Sequence, residues 1–288
     1  MASELRERTL RLLDEGDLRP NKRLGQSFLV DVGVARDIVA AAQLSPADRV
    51  LEIGAGLGAL TELLGAGAGQ VVALEVDRGL CRALRAWLTR ENVQIIEADF
   101  LRAELHLFIP GARSHPWKVV SNLPYCSTSP IIERLLSHID LISRIVLTVQ
   151  KDVGDRLRAK PGDPEYGSLT VFVRYYAEVE HIRDIRPQAF YPPPEVESEA
   201  IVLRKRSPDE RPDCPPKAFE AVVRAAFEQR RKMLRASIGR SRTLGLPRGS
   251  VEGIFAKADI DPSRRPETLS VEEFAALGRA VAAVAGGR

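Results

Sequence analysis

Short apolar runs alternate with amphipathic segments over the first two thirds of the chain. The runs have the length of buried strands, and the segments between them repeat apolar residues at the spacing of a helix face. Strands that alternate with helices predict a mainly parallel sheet with helices on both faces. The runs are RVLEIGA (49–55), VVALEV (71–76), VQIIEADF (93–100), KVVSNL (118–123) and RIVLTVQ (144–150), and the helical patterns include LTELLGA, GLCRALRAWLTR and SPIIERLLSHI.

The pattern of alternating strands and helices then changes. SLTVFVRYYAEVEHIRDI (168–185) and SEAIVLRKR (198–206) have the pattern of longer strands, with only RPQAFYPPPEVE between them. We therefore predict an antiparallel pair that closes one edge of the sheet. The Pro-rich stretch SPDERPDCPPK (207–217) marks a domain boundary, and helical patterns follow it. The predicted domains are residues 1–206, an α/β domain, and 207–288, a small helical domain.

Composition limits the class of protein. With 288 residues, 44% of them hydrophobic and 28% charged, the chain is typical of a globular protein. The charged start predicts no signal peptide, and the absence of a long apolar run predicts no membrane span. The cysteines at 81, 126 and 214 match no zinc spacing, which favours free thiols in the cytoplasm and no metal site.

Charge is unevenly distributed. Residues 206–288 hold 16 Lys/Arg and 11 Asp/Glu, whereas the rest of the chain is slightly acidic. Within them, 222–248 contain eight basic residues and one acidic residue. This asymmetry favours a polyanionic partner, although a solvated basic face has the same signature.

A glycine-rich turn follows the first of the buried runs. In LEIGAGLGALT, Gly54, Gly56 and Gly58 stand between a strand and a helix, where glycine allows the backbone to approach a cofactor closely. Glu75 ends the next strand, in the position of a ribose-binding acid. The glycine spacing and Glu75 suit a nicotinamide cofactor and S-adenosylmethionine alike.

Asp99 ends the third strand at the same edge of the sheet, although a helix cap would also explain it. Two carboxylates beside one glycine turn favour a ligand without phosphate, because a pyrophosphate would be repelled. S-adenosylmethionine offers hydroxyls, an amine and a cationic sulfonium instead.

The motif NLPY ends the fourth strand, also at this edge. The side-chain oxygen of Asn122 and a backbone carbonyl held by Pro124 can accept both N–H bonds of an exocyclic amine, and Tyr125 offers a surface for a flipped base. Such positioning suits methyl transfer to adenine N6 and requires neither a metal nor a covalent intermediate. A plain β-bend is the alternative.

Together these motifs resemble the ribosomal RNA adenine dimethyltransferase family, most closely its small-subunit (16S) branch. The resemblance covers nearly the whole chain, including KRLGQSFLVD (22–31), LEIGAGLGALT, EADF, SNLPY, PQAFYPPPEVES and FEQRRKMLRASI. It implies a Rossmann-like class I S-adenosylmethionine-dependent methyltransferase fold, with a mainly parallel seven-stranded sheet and a C-terminal helical domain. It also implies dimethylation of two adjacent adenosines near the 3′ end of small-subunit ribosomal RNA, by a monomer in the cytoplasm.

The resemblance implies roles for individual residues. The catalytic set is Asn122, Leu123, Tyr125 and Phe190, in which the Leu123 carbonyl is the second acceptor and the two rings sandwich the base. The cofactor set is Gln26, Ser27, Leu29, Gly54, Gly56, Glu75, Asp99 and Asn122. Ser27 replaces the Asn or His of many relatives, which leaves open whether it meets the cofactor by side chain or backbone. The candidate RNA contacts are Lys22, Arg23, Arg224, Arg230, Arg231, Lys232 and Arg235.

Two other readings remain. The sister branch that methylates large-subunit RNA and confers macrolide resistance has the same catalytic motif, but KRLGQSFL and AFYPPPEVES favour the small-subunit branch. A retired methyltransferase that only binds RNA would not be expected to keep NLPY and both carboxylates.

Overall fold

The computed structural model describes residues 2–21, 25–229, 232–247 and 249–285. The chain forms two compact units, residues 1–154 with 178–205 and residues 155–177 with 206–288. The second unit thus takes in 155–177, a segment that the sequence analysis assigned to the α/β domain.

A seven-stranded sheet lies at the centre of the described part of the first unit, in the order β4-β3-β2-β5-β6-β9-β7. The steps from β4 to β6 are all parallel, as the sequence pattern predicts, and β9 runs antiparallel to β6, with β7 beside β9 at the edge of the sheet. A separate antiparallel pair joins β1 to β8. The strands are β1 (Phe28–Leu29), β2 (Arg49–Ile53), β3 (Gln70–Glu75), β4 (Val93–Glu97), β5 (Trp117–Asn122), β6 (Ile142–Gln150), β7 (Ala177–Ile185), β8 (Phe190–Tyr191) and β9 (Ser198–Lys205).

Two helices of the first unit begin with an aspartate cap. Asp31 accepts hydrogen bonds from the backbone N–H of Gly33 and Val34, and Asp77 does the same for Gly79 and Leu80. The helices are α1 (Ala2–Glu15), α2 (Val32–Ala41), α3 (Thr61–Gly67), α4 (Arg78–Trp87), α5 (Thr128–Ser137), α6 (Lys151–Arg158), α7 (Ser168–Tyr176), α8 (Pro216–Phe227), α9 (Leu234–Arg240), α10 (Val251–Ala258) and α11 (Val271–Ala285).

The middle strands are buried on both faces. Val50, Val120 and Val146 have no exposed surface and pack in one cluster with Ile38 of α2. A strand covered on both faces has no polar side to alternate with its apolar one. This is why these strands appear in the sequence as continuous apolar runs.

The predicted strand over 168–185 is wrong in its first half. Residues Ser168–Tyr176 form α7, and only Ala177–Ile185 form β7. Seven of the nine side chains in α7 are buried, so the helix has no polar face to give it a helical period in the sequence. Its β-branched and aromatic residues then imitate a strand.

The second unit is helical in its C-terminal part, as predicted. The stretch AFEAVVRAAFEQRRKMLRASI contains two helices, α8 and α9. Phe219 of α8 stacks on Tyr175 of α7 with ring centroids 4.0 Å apart, and the Tyr175 hydroxyl donates a 2.7 Å hydrogen bond to the Cys214 carbonyl. Across the described residues, each helix is too short or too polar to cross a bilayer.

Candidate functional site

A pocket opens at the carboxyl ends of β2, β3 and β5 in the first unit. This is where the ends of parallel strands meet and where α/β sheets bind ligands. It contains about 750 Å³ of empty space, part of it open to solvent. Its walls include most of the predicted cofactor and catalytic residues, namely Gln26, Ser27, Leu29, Gly54, Gly56, Glu75, Asn122, Leu123 and Tyr125.

The glycine turn needs glycine at two positions of the pocket floor. Gly54 has φ 79° and Gly56 has φ 56°, in the left-handed region that side chains disfavour. A Cβ on Gly56 would also lie 3.1 Å from Cδ1 of Phe28. The turn is therefore bare backbone, which a ligand can approach closely.

Glu75 ends β3 beside this turn and is 5% exposed. Its Oε2 accepts a 2.8 Å hydrogen bond from Gly56 N–H, and its Oε1 accepts from the N–H groups of Val76 and Asp77, both at 2.9 Å. Burial raises the pKa of this carboxyl, and the three N–H donors oppose that rise. The carboxylate is thus fixed against the glycine turn and keeps lone pairs for hydroxyl donors.

A second acid lines the pocket from inside β2. Glu52 is 2% exposed, and burial, with a smaller contribution from the charge of Glu75, raises its pKa to about 8. Within the described chain its Oε2 has no hydrogen-bond partner. Our prediction did not include Glu52. The sequence contains a signal for it, because a carboxylate stands in the middle of the otherwise apolar strand LEIGA.

Asn122 presents an acceptor at the end of β5. Its Nδ2 donates a 3.3 Å hydrogen bond to the Ser27 carbonyl, while its buried Oδ1 has no partner among the described residues. The Ser27 hydroxyl donates a 2.7 Å hydrogen bond to the Pro192 carbonyl. The side chain of Ser27 is thus bonded to the protein itself, and its backbone carbonyl orients Asn122.

The two predicted base-contacting rings lie next to each other. The ring centroids of Tyr125 and Phe190 are 6.4 Å apart with an angle of 75° between the planes. The Tyr125 hydroxyl shares a 2.8 Å hydrogen bond with Ser198, and Phe190 is 1% exposed. In this arrangement a flat group that lies on the face of one ring meets the edge of the other, rather than two parallel faces.

The polar groups that line the pocket fit S-adenosylmethionine. In the part of the chain that the structure describes, Gln26 Nε2 is a buried donor without a partner and Asn122 Oδ1 is a buried acceptor without one. A ligand that carries an ammonium, a carboxylate and hydroxyls would satisfy such groups. The buried carboxylate of Glu75 suits a ligand without phosphate.

Other predicted residues lie elsewhere. Asp99 follows β4, where its Oδ1 accepts from Leu101 N–H at 2.9 Å and its Oδ2 lies 3.3 Å from Arg102 Nε. It is not among the residues that line the pocket in the described structure, so its adenine contact stays a prediction. The candidate RNA contacts Lys22, Arg23, Arg230 and Arg231 lie outside the described residues.

The remaining candidate RNA contacts belong to the second unit. The Arg224 guanidinium lies 5.0 Å from the Phe172 ring centroid, and Arg235 Nη2 forms a 2.6 Å ion pair with Glu252. Lys232 is exposed. All three side chains lie where solvent reaches them, and their RNA contacts stay predictions.

Comparisons with known proteins agree on one family. Residues 18–277 match the model of the family described as ribosomal RNA adenine dimethylase. The chain is 43% identical over 279 residues to ribosomal RNA small subunit methyltransferase A of Moorella thermoacetica, covering 94% of this chain and 96% of the relative.

Two solved structures have the same fold. A dimethyladenosine transferase from Plasmodium falciparum is 24% identical with a TM-score of 0.69, covering 87% of this chain and 95% of its own. The 23S rRNA methyltransferase ErmE is 28% identical with a TM-score of 0.62, covering 88% and 99%.

Proposed function

Because this chain belongs to the ribosomal RNA adenine dimethylase family, we propose that it dimethylates the N6 amines of two adjacent adenosines near the 3′ end of small-subunit (16S) ribosomal RNA, using S-adenosylmethionine. The proposal depends on Oδ1 of Asn122, which is buried beside the glycine turn and has no hydrogen-bond partner among the described residues. The 43% identity to a small subunit methyltransferase, against 28% to a 23S rRNA methyltransferase, supports the small-subunit substrate.

The pocket residues hold the cofactor by contacts that suit its parts. Glu75 would accept hydrogen bonds from the ribose hydroxyls, and the bare turn at Gly54 and Gly56 would receive the methionine portion. Gln26 Nε2, which has no partner among the described residues, would donate to a carboxylate oxygen. When bound, S-adenosylmethionine supplies a methyl group on a cationic sulfonium, which is a strong electrophile.

The protein prepares the adenine amine as the nucleophile. The lone pair of an exocyclic amine is delocalised into the ring, so the amine must be turned towards tetrahedral geometry before it can accept a methyl group. Asn122 Oδ1 and the Leu123 carbonyl accept its two N–H bonds and aim the lone pair. In this position the amine could take the methyl group that the cofactor would supply, and the proton of the amine would be lost to solvent. Positioning of this kind contributes several kcal/mol.

Tyr125 and Phe190 hold the base. The hydrogen bond to Ser198 anchors the Tyr125 ring, which stacks on the flipped adenine, and the edge of the Phe190 ring faces the base. These contacts offset the free-energy cost of flipping the base out of its stack.

Basic side chains in each unit contact the phosphates of the RNA. All three described candidates are exposed, but the Arg235 guanidinium is ion-paired to Glu252 and the Arg224 guanidinium lies over the Phe172 ring, so Lys232 is the best placed. Lys232→Ala should therefore weaken RNA binding and reduce the slope of log K against log salt by about 0.7 to 0.9. We infer that the protein acts as a monomer in the cytoplasm, where small subunits are assembled.

The test is transfer of labelled methyl groups from S-adenosylmethionine to unmethylated small ribosomal subunits, with large-subunit RNA in parallel. The RNA is digested and its nucleosides are identified. N6,N6-dimethyladenosine in small-subunit RNA alone is the expected result. Label only in large-subunit RNA would assign the chain to the macrolide-resistance branch. No label in either RNA, despite cofactor binding, would show that the protein binds the cofactor but has lost catalytic activity.

A further inference from the structure

The N-terminal helix α1 lies against the cofactor pocket, although it precedes the region that matches the family. Thr9, in the middle of α1, is 3% exposed and lines the same pocket as Glu75 and Asn122. The Thr9 hydroxyl donates a 2.9 Å hydrogen bond to the Leu5 carbonyl, so its oxygen keeps a lone pair to accept another. A residue that precedes the part matching the family model therefore forms part of the wall.

Apolar contacts join α1 to other walls of the pocket. Leu12 and Leu13 pack in one cluster with Phe28, Leu57 and Leu80, and all three partners line the pocket. The face of α1 that carries Thr9 and the leucines is thus turned towards the ligand site rather than towards solvent.

Arg8 attaches this helix at two points. Its Nη1 lies 2.6 Å from Glu62 Oε2 of α3, and its guanidinium lies 4.1 Å from the ring of Trp87 in α4. Only 19% of its side chain is exposed, so both interactions are partly shielded from solvent. Arg8 therefore holds α1 between the helix that follows the glycine turn and the helix that follows Glu75.

We propose that α1 is a wall of the cofactor site, that Thr9 contacts the bound cofactor, and that Arg8 is the positioning residue that keeps the wall in place. The inference rests on the proposed function, because it takes the pocket to be the S-adenosylmethionine site. The apparent affinity of a ligand falls by the fraction of molecules that have the binding-competent conformation. Loss of the Arg8 contacts should lower the fraction of molecules in which α1 is held in the binding-competent position. Cofactor binding should then weaken.

The chain contains a matched control on the same helix. Arg11 is 66% exposed and forms a 3.9 Å ion pair with Glu15, also in α1. Arg11→Ala removes the same kind of side chain without touching α3, α4 or the pocket. Thr9→Val keeps the volume of Thr9 and removes only its hydroxyl, so it tests the contact without disturbing the packing.

The experiment measures binding of S-adenosylhomocysteine to the full chain by calorimetry, for the wild type and these three variants. We expect Kd to rise about tenfold in Arg8→Ala and about threefold in Thr9→Val, and to stay within twofold in Arg11→Ala. Hydrogen exchange of the α1 amides should slow when S-adenosylhomocysteine is added to the wild type.

Two failures are distinguishable. If the wild type binds S-adenosylhomocysteine but Arg8→Ala and Thr9→Val bind it equally well, α1 is only a packing helix and the inference is wrong, while the proposed function stands. If the wild type does not bind it, the proposed function fails and the inference fails with it.

Discussion

The hydroxyls of Tyr125 and Ser198 share a 2.8 Å hydrogen bond across 73 residues of chain. Ser198 is the first residue of β9 and has no exposed surface, so it is a fixed anchor. Tyr125 follows Pro124 at the end of the parallel half of the sheet. Strand β9, which pairs antiparallel with β6, therefore also sets the position of the ring that we assign to the target base.

Removal of either hydroxyl should reduce methyl transfer by the same amount. We expect Tyr125→Phe and Ser198→Ala each to lower kcat/KM for the RNA about threefold to tenfold, since each loses one hydrogen bond. The double variant should lose no more than either single one. Additive losses would show that the two hydroxyls act separately, and Tyr125→Ala, which also removes the ring, should lose far more.

Asn122→Ala should abolish the alignment of the amine and leave the cofactor bound. We expect the single-turnover rate of methyl transfer to fall by about 100-fold or more, and Kd for S-adenosylhomocysteine to change by less than about threefold. Asn92→Ala is the control, because Asn92 donates to the Gly65 and Ala68 carbonyls away from the pocket. Unchanged transfer in Asn122→Ala would refute the proposed mechanism.

Ser27→Ala should affect the RNA rather than the cofactor. Its hydroxyl bonds the Pro192 carbonyl, two residues beyond Phe190, and its backbone carbonyl stays available to Asn122 in the variant. We expect KM for the RNA to rise about threefold to fivefold while Kd for S-adenosylhomocysteine stays within about twofold. A large loss of cofactor affinity instead would mean that the hydroxyl serves the cofactor.

Glu52→Gln should change how stability depends on pH. The folded-state pKa of Glu52 is about 8 against an ordinary 4.5, so the folded protein keeps this proton after the unfolded chain has lost it. The stabilisation is complete below the unfolded pKa and is lost as the pH rises through the folded one, by on the order of 5 kcal/mol. Glutamine does not titrate. The free energy of unfolding of the variant should therefore rise relative to that of the wild type as the pH rises.

Urea unfolding of the ligand-free protein between about pH 5 and pH 8 measures this difference. The exposed Glu91→Gln variant is the control and should follow the wild type across the range. A constant difference between Glu52→Gln and the wild type would show that Glu52 is ionised throughout.

The sequence by itself determined the sheet and the positions of its motifs. Parallel strands that alternate with helices bring their carboxyl ends to one edge, so Gly54, Glu75 and Asn122 had to lie near one another. All three line the pocket. The continuous apolar runs located the central strands because burial on both faces leaves no other pattern.

Only the tertiary structure decided which residues complete the site. Thr9 belongs to a helix without a motif, and Ser198 meets Tyr125 only through the pairing of β9 with β6. The Ser27–Pro192 bond joins residues 165 positions apart. The same limit explains the misassigned α7, because burial on nearly all its sides erased the helical period. Local sequence reports local periodicity, whereas contacts between distant segments depend on how the whole chain packs.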